Sequence, residues 1–432
     1  MLAGPVGRDD LVIRGARVLD PVEGVDAVLD VRVDGGTIAA LASELDANGH
    51  RVVDAGGLVL APAFVDPHVH LRTPGREDEE TIATGTAAAA AGGYCAILAM
   101  PNTEPVVDEA EQVRALRARA ETEARIPVGF LAAISKGQAG AELTEMGALA
   151  DAGAAGFTDD GRPVASAGLM RRALQYGAVT SRTLAVHCEE QTLTRGAHAH
   201  AGRVAAELGL AGWPSLGESL MVARDLELAA ETGRPVHLMH LSATESVGHL
   251  RRAHERGVAA TGEVTPHHLC LTEEAVRSLD PNVKMNPPLR TEADRLALVD
   301  ALRDGTIAAI ATDHAPHAPE EKDVPFEAAP FGVTGLETAF AALYTHLVLP
   351  GVLRLETLLE RLSAGPAAIF GLERPRIAVG APANLTLLDL DRRWRVKSSG
   401  FRSRSANSWL LGKRLHGQVR LTVAAGRVVH ET

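Results

Sequence analysis

The sequence predicts a closed (β/α)8 barrel carrying a small β-sandwich built from both chain ends. Three observations predict it. The 432 residues accommodate a barrel of about 250 residues and a smaller unit beside it. The middle, residues 62–370, repeats short near-continuous apolar runs separated by stretches of helical spacing, the pattern of parallel strands covered by helices. The ends, residues 1–61 and 371–432, alternate apolar and polar residues with Gly or Asp at the turns, which is antiparallel strand chemistry.

Taken in order, the N-terminal strands are "DLVIRGARVLD", "AVLDVRVDGGTIAAL" and "RVVDAGGLVL". Eight apolar runs follow: "LVLAPAFVD", "YCAILAMPN", "RIPVGFLAAIS", "AGAAGFTDD", "TLAVHCE", "RPVHLMHLS", "VAATGEVTPHH" and "GTIAAIATDH". Between them lie amphipathic stretches such as "DEAEQVRALRARAETEA" and "LMVARDLELAAETG", whose apolar residues recur at helical spacing. Eight strand-helix units indicate a closed barrel. A doubly wound open sheet is the alternative, but no G-x-G-x-x-G or P-loop is present. The C-terminal runs "ANLTLLDLDRRWRV" and "LHGQVRLTVAAGRVVHE" return to strand alternation, so the two ends are expected to pair.

Composition excludes several function classes. A formal net charge of −12 with no basic stripe argues against a nucleic-acid partner. No apolar stretch approaches the roughly 20 residues of a membrane span, and "MLAGPVGRDD" does not read as a signal peptide. Cys95, Cys188 and Cys270 are odd in number and far apart, so a disulfide framework is not expected and a reducing cytoplasm is.

Barrel enzymes carry their chemistry at the C-terminal ends of the strands. The first run is followed by His68 and His70, the fourth by Asp159-Asp160, the fifth by His187, the sixth by His240 and the eighth by Asp313. Each has an ordinary reading alone, since most histidines at strand ends are hydrogen-bonded structural residues. Together, four His and two Asp from five strand ends form the ligand set of zinc and similar ions. Six ligands exceed the three of a single catalytic zinc and suit two ions about 3.5–4 Å apart, bridged by a carboxylate such as Asp160. Of His267 and His268, only one is expected to face inward. His198 and His200 follow no apolar run and read as loop residues, His249 and His254 as solvated helix positions, and Cys188 as pointing away from the pocket.

These stretches resemble the amidohydrolase superfamily, and within it bacterial type I dihydroorotases. The resemblance rests on "DPHVHLRTPG", "AMPNTEPVVD", "GFTDDGRPV", "AVHCEE", "MHLSATES", "EVTPHHL", "VKMNPPLRTEADR", "ATDHAPHAPEEK" and "APFGVTGLETAF", which span residues 66 to 340. It implies two zinc ions per chain, with His68 and His70 as the first ligand pair. Asp160 would be the bridging carboxylate, with Asp159 the weaker candidate. His187 and His240 would hold the second ion, and Asp313 would be both ligand and proton shuttle. Arg72 and Asn102 would grip a substrate carboxylate, while Asn286, His317 and the backbone at Phe331 and Gly332 would contact a dihydropyrimidine ring. Two positions depart from the family pattern: Ala63 replaces the usual Gly, and Thr73 a frequent Glu.

The reaction so implied is reversible cyclisation of N-carbamoyl-L-aspartate to L-dihydroorotate in pyrimidine biosynthesis, through a hydroxide bridging the two metals. The resemblance also implies a homodimer or larger oligomer, with aspartate carbamoyltransferase as a candidate partner. Rivals of the same fold are hydantoinase, dihydropyrimidinase and allantoinase, most of which bridge their metals with a carboxylated lysine. No Lys lies near Asp160, the nearest upstream being Lys136. A rival of another class is a non-catalytic scaffold for aspartate carbamoyltransferase, which would be expected to lose ligands.

Overall fold

Residues 1–47 and 49–432 are described by the computed structural model. In the N-terminal strands Leu11–Asp20 and Val25–Asp34, apolar residues at every second position pair across the ladder, Leu11 with Val33 and Ile13 with Val31. All four are buried in one apolar cluster. Val59–Pro62 joins the two chain ends. It runs parallel to the first strand, with Leu60 beside Val18, and antiparallel to Leu385–Arg395, with Leu60 beside Leu387. Strands Arg414–Ala424 and Arg427–Glu431 complete the same eight-stranded sheet. The expected sandwich is therefore one continuous sheet rolled over its own core. Its far edge, Thr37–Ala42, meets the chain entering the C-terminal strands: Ile38 N donates to Ala381 O at 2.9 Å and Gly380 N to Ile38 O at 2.8 Å.

Eight short parallel strands form the barrel: Phe64–Val69, Tyr94–Ala99, Val128–Phe130, Gly156–Phe157, Thr183–Val186, Val236–Leu238, Ala260–Val264 and Ala309–Ile310. Neighbours pair in sequence order. Two single bridges finish the ring, Ala132 to Phe157 between the third and fourth strands and Val69 to His314 between the first and eighth. Every residue of the first two strands is buried, as strands covered on both faces require. The single run "LVLAPAFVD" is divided here between two sheets, Val59–Pro62 going to the outer one and Phe64–Val69 to the barrel. Helices cover the outside. Ala110–Glu123 buries Val113, Leu116 and Ala120, and Leu216–Thr232 buries Met221, Val222, Leu226 and Ala229, the spacing of one helical face. The latter ends at Gly233, whose φ of 63° is the left-handed C-cap glycine favours. Among the described residues, no helix is long and apolar enough to cross a membrane.

Candidate metal centre

Barrel closure puts His68 and His70 beside the last strand. Asp66 is fully buried, and its carboxylate accepts from Thr312 Oγ1 at 2.6 Å and from Thr312 N and His68 N at 3.1 Å each. His70 N donates to His314 O at 2.9 Å. The backbone then turns sharply at the strand ends. Arg72, His240 and Asp313 all have positive φ, at 56°, 34° and 48°. For non-glycine residues this costs of order 1–3 kcal/mol each and persists only where the surroundings impose it.

The six candidate ligands converge. Asp313 Oδ1 lies 3.1 Å from His70 Nε2 and 3.5 Å from His68 Nε2. Asp160 stands between two groups of nitrogens. Its Oδ1 is 3.5 Å from His68 Nε2 and 3.7 Å from both His187 Nδ1 and His240 Nε2, while its Oδ2 is 3.5 Å from His70 Nε2. His187 Nδ1 and His240 Nε2 are 2.9 Å apart. All six side chains are buried. His68 Nε2 has no hydrogen-bond partner although it sits among carboxylate oxygens. A buried imidazole nitrogen facing two carboxylates calls for a positive charge between them, a proton or a metal ion. Burial disfavours ionised Asp160 and Asp313, but the surrounding histidines outweigh it, His68 first, and both carboxyls lie below the usual range. Both are therefore ionised, the form a bound cation would require.

A carboxylate that sequence reading passed over organises this cluster. Glu263 lies inside the seventh strand. Its Oε1 accepts from His68 Nδ1 at 2.9 Å, and its Oε2 is 3.0 Å from His237 Nε2. Burial opposes its ionisation, yet hydrogen bonds from His237 and His68 draw it down to about 2. The signal was present in "ATGEV", where one charged residue interrupts an apolar run. Glu189 does the same for His187, with Oε2 at 3.0 Å from Nε2. Such partners set the tautomer and aim of a ligating imidazole, and their loss typically costs about 10–100-fold in metal affinity. Glu263→Gln is therefore expected to weaken metal binding by about 10–100-fold, measured by competition with a coloured chelator. An unchanged affinity would leave Glu263 only a packing role.

The remaining candidates separate by geometry. Asp159 accepts from Ile134 N at 2.8 Å and from Ser135, which holds the neighbouring loop and leaves Asp160 to the cluster. The stretch after the seventh strand forms a short helix, Pro266–Cys270. There His268 is tied to Thr265 Oγ1 and Pro287 O. His267 Nε2 is buried and unpaired, and burial together with the neighbouring His268 holds its imidazole well below the usual range. Cys188 packs toward Asp225, away from the metal candidates. His200 differs from its expected loop, since Ala199–His200 pairs with Gly212–Trp213 as two-residue strands. His249 is half-buried and accepts from Arg252, His254 is exposed, and Lys136 pairs with Glu142 at the surface.

The six substrate candidates lie around the cluster, several of them engaged with the protein. Arg72 is past the end of its strand, so strand alternation does not set its direction. Its Nε donates to Pro316 O at 3.1 Å and lies 2.8 Å from Glu79 Oε2. Asn102 bridges His70 Nδ1 at 3.0 Å and Asp160 Oδ2 at 3.2 Å, which aims both candidate ligands. Asn286 Oδ1 is buried without a partner and is free to accept. His317 lies 2.8 Å from Phe331 O and 3.3 Å from Glu79. Gly332 N donates to Lys284 O at 2.9 Å. Lys284, another residue sequence reading missed, holds the same loop through Glu327 O and Ala329 O, both at 2.8 Å, with Nζ 4.7 Å from the Phe331 ring centroid.

The comparisons with known proteins meet this geometry. The Dihydro-orotase-like family model matches residues 57–246. A dihydroorotase of Geobacillus thermodenitrificans is 47% identical over 93% of this chain and 94% of its own length. The chain belongs to the dihydroorotase family. A dihydroorotase of Pelotomaculum thermopropionicum is 44% identical over 97% of this chain and 98% of its own. Among solved structures, the L-hydantoinase (dihydropyrimidinase) from Arthrobacter aurescens superposes with a TM-score of 0.89 at 27% identity, covering 98% of this chain and 96% of that one. Dihydroorotase-family membership and the hydantoinase-like fold agree on the barrel with its attached sheet.

Proposed function

We propose that the chain catalyses the reversible ring closure of N-carbamoyl-L-aspartate to L-dihydroorotate, with loss of water, in pyrimidine synthesis. The observation that carries this reading is the 47% identity to a dihydroorotase along 93% of the chain, against 27% to the L-hydantoinase that shares its fold. The site agrees with it. Asp160 lies between the two groups of nitrogens, and Arg72 offers a fixed cation near them for an acidic substrate.

His68, His70, Asp160, His187, His240 and Asp313 would hold two divalent ions, and zinc is the metal this reading names. Bound there, the ions would supply an activated water and polarise the amide carbonyl. The protein's own groups do the rest. Arg72 binds the carboxylate of the substrate. Asn286 Oδ1 accepts an N–H of the ring. In the ring-opening direction Asp313, ionised and 3.1 Å from His70 Nε2, takes a proton from the attacking water and returns it to the leaving ring nitrogen; ring closure runs the same transfers in reverse. The same reading sets the chain in the cytoplasm as a homodimer or larger oligomer, with aspartate carbamoyltransferase as the partner to test by mass measurement of the mixture.

Substrate choice tests the proposal. The purified chain should turn over L-dihydroorotate far faster than dihydrouracil or a hydantoin. Equal rates on the uncharged rings would transfer the reading to the hydantoinases. Chelation should abolish activity and zinc should restore it, with two ions per chain by elemental analysis. A fully active sample with one ion would remove the bridging role of Asp160.

A further inference from the structure

A segment from outside the barrel packs against the loops at the C-terminal ends of its strands. Residues 402–407 lie between two C-terminal strands of the outer sheet, Leu385–Arg395 and Arg414–Ala424, and run back over the loops of the first and eighth barrel strands. Ser403, Ser405 and Asn407 alternate along it and are buried, while Arg404 between them is exposed. Ser403 Oγ donates to Glu80, whose Oε2 is 3.2 Å from His314 Nε2. Ser405 Oγ donates to Glu79 O at 2.7 Å. Each inward side chain thus grips a loop that carries or borders a site residue.

Asn407 makes the most of these contacts. Its Oδ1 accepts from His317 N at 3.1 Å. Its Nδ2 donates to Ala315 O at 3.0 Å and Gly332 O at 3.3 Å, and its own carbonyl accepts from Thr334 N at 2.9 Å. The loops it joins touch closely. Gly332 has a φ of +112°, and a Cβ there would lie 2.6 Å from Ala315 Cβ. A buried amide offers two donors and an acceptor in fixed directions, and here they meet two carbonyls and one N–H from two loops.

We infer that Asn407 is a positioning residue for substrate binding, fixing the His317 and Phe331–Gly332 segments relative to each other. It touches none of the candidate metal ligands and acts through the loops. The inference rests on the proposed function for its claim that these loops meet the substrate. It extends that reading to a part of the chain that lies outside the barrel.

Asn407→Asp is nearly isosteric. It keeps the acceptor toward His317 N but turns the donor side into a carboxylate oxygen against two carbonyls. Asn407→Ser removes both amide N–H donors, leaving one hydroxyl on a shorter side chain, and adds no charge. KM for L-dihydroorotate should rise about tenfold or more in the Asp variant and less in the Ser variant. kcat should fall by a smaller factor, and metal content should stay at the wild-type value. Amide hydrogen exchange should quicken in residues 313–318 and 330–334. Should the Asp variant not fold, the Ser variant carries the same readouts. Folded, metal-loaded variants with wild-type KM and wild-type exchange in both loops would overturn the inference, whatever their melting temperature. A wild-type chain that does not act on dihydroorotate would instead remove the proposed function, and the exchange measurement would still report whether Asn407 holds the loops.

Discussion

Asp313→Asn is expected to keep most of its metal and lose its turnover, with kcat lower by about 10²–10⁴-fold in both directions of the reaction. The amide matches the carboxylate in shape, and its oxygen still faces His68 and His70, whose Nε2 atoms lie 3.5 Å and 3.1 Å from Asp313 Oδ1. An amide cannot accept and return a proton near neutral pH. The carboxyl, by contrast, is ionised: burial opposes this, but His68 and His70 outweigh it and hold its pKa below the usual range. Steady-state rates together with metal content decide the matter. Near-normal turnover in the Asn variant would move the shuttle to another group. Loss of metal in step with loss of rate would make Asp313 a ligand only.

Arg72→Met should lower kcat/KM for dihydroorotate by about 30- to 1,000-fold, the effect of losing about 2–4 kcal/mol from a desolvated charged hydrogen bond. Arg72→Lys should fall between, because it keeps the charge and loses the planar fork. The ion pair with Glu79 sharpens this expectation. Glu79 also lies 3.0 Å from Arg76 Nη2 and 3.3 Å from His317 Nδ1, so removing Arg72 does not leave its carboxylate alone. The loss should therefore register in substrate binding more than in stability. Uncharged dihydropyrimidines should gain relative to dihydroorotate in the Met variant, with metal content unchanged. A Met variant that keeps wild-type preference for dihydroorotate would place the carboxylate elsewhere.

Much of this protein is legible residue by residue. The eight apolar runs and the helical spacing of Val113, Leu116 and Ala120 reflect strand burial and helix period, which are local and repeat along the chain. The family resemblance of the strand-end motifs was equally plain, because motif chemistry is contiguous: "DPHVH" and "ATDHAPH" carry their donors within a few residues. Contiguous residues thus tell which residue types stand at which strand ends.

Barrel closure fixes what those residues face. Asp159 and Asp160 are neighbours of one chemistry, and only the barrel sends the first to Ser135 and the second to the histidines. Glu263 becomes the partner of His68 across 195 residues, and Asn407 reaches His317 across 90. Arg72 turns at a φ of 56°, beyond the reach of any alternation rule, and meets Glu79 and the Pro316 carbonyl. Periodicity encodes which side of its own element a residue occupies. Partnership across the barrel is settled when the first strand closes on the eighth, because only then do buried donors find the acceptors that offset their loss of water.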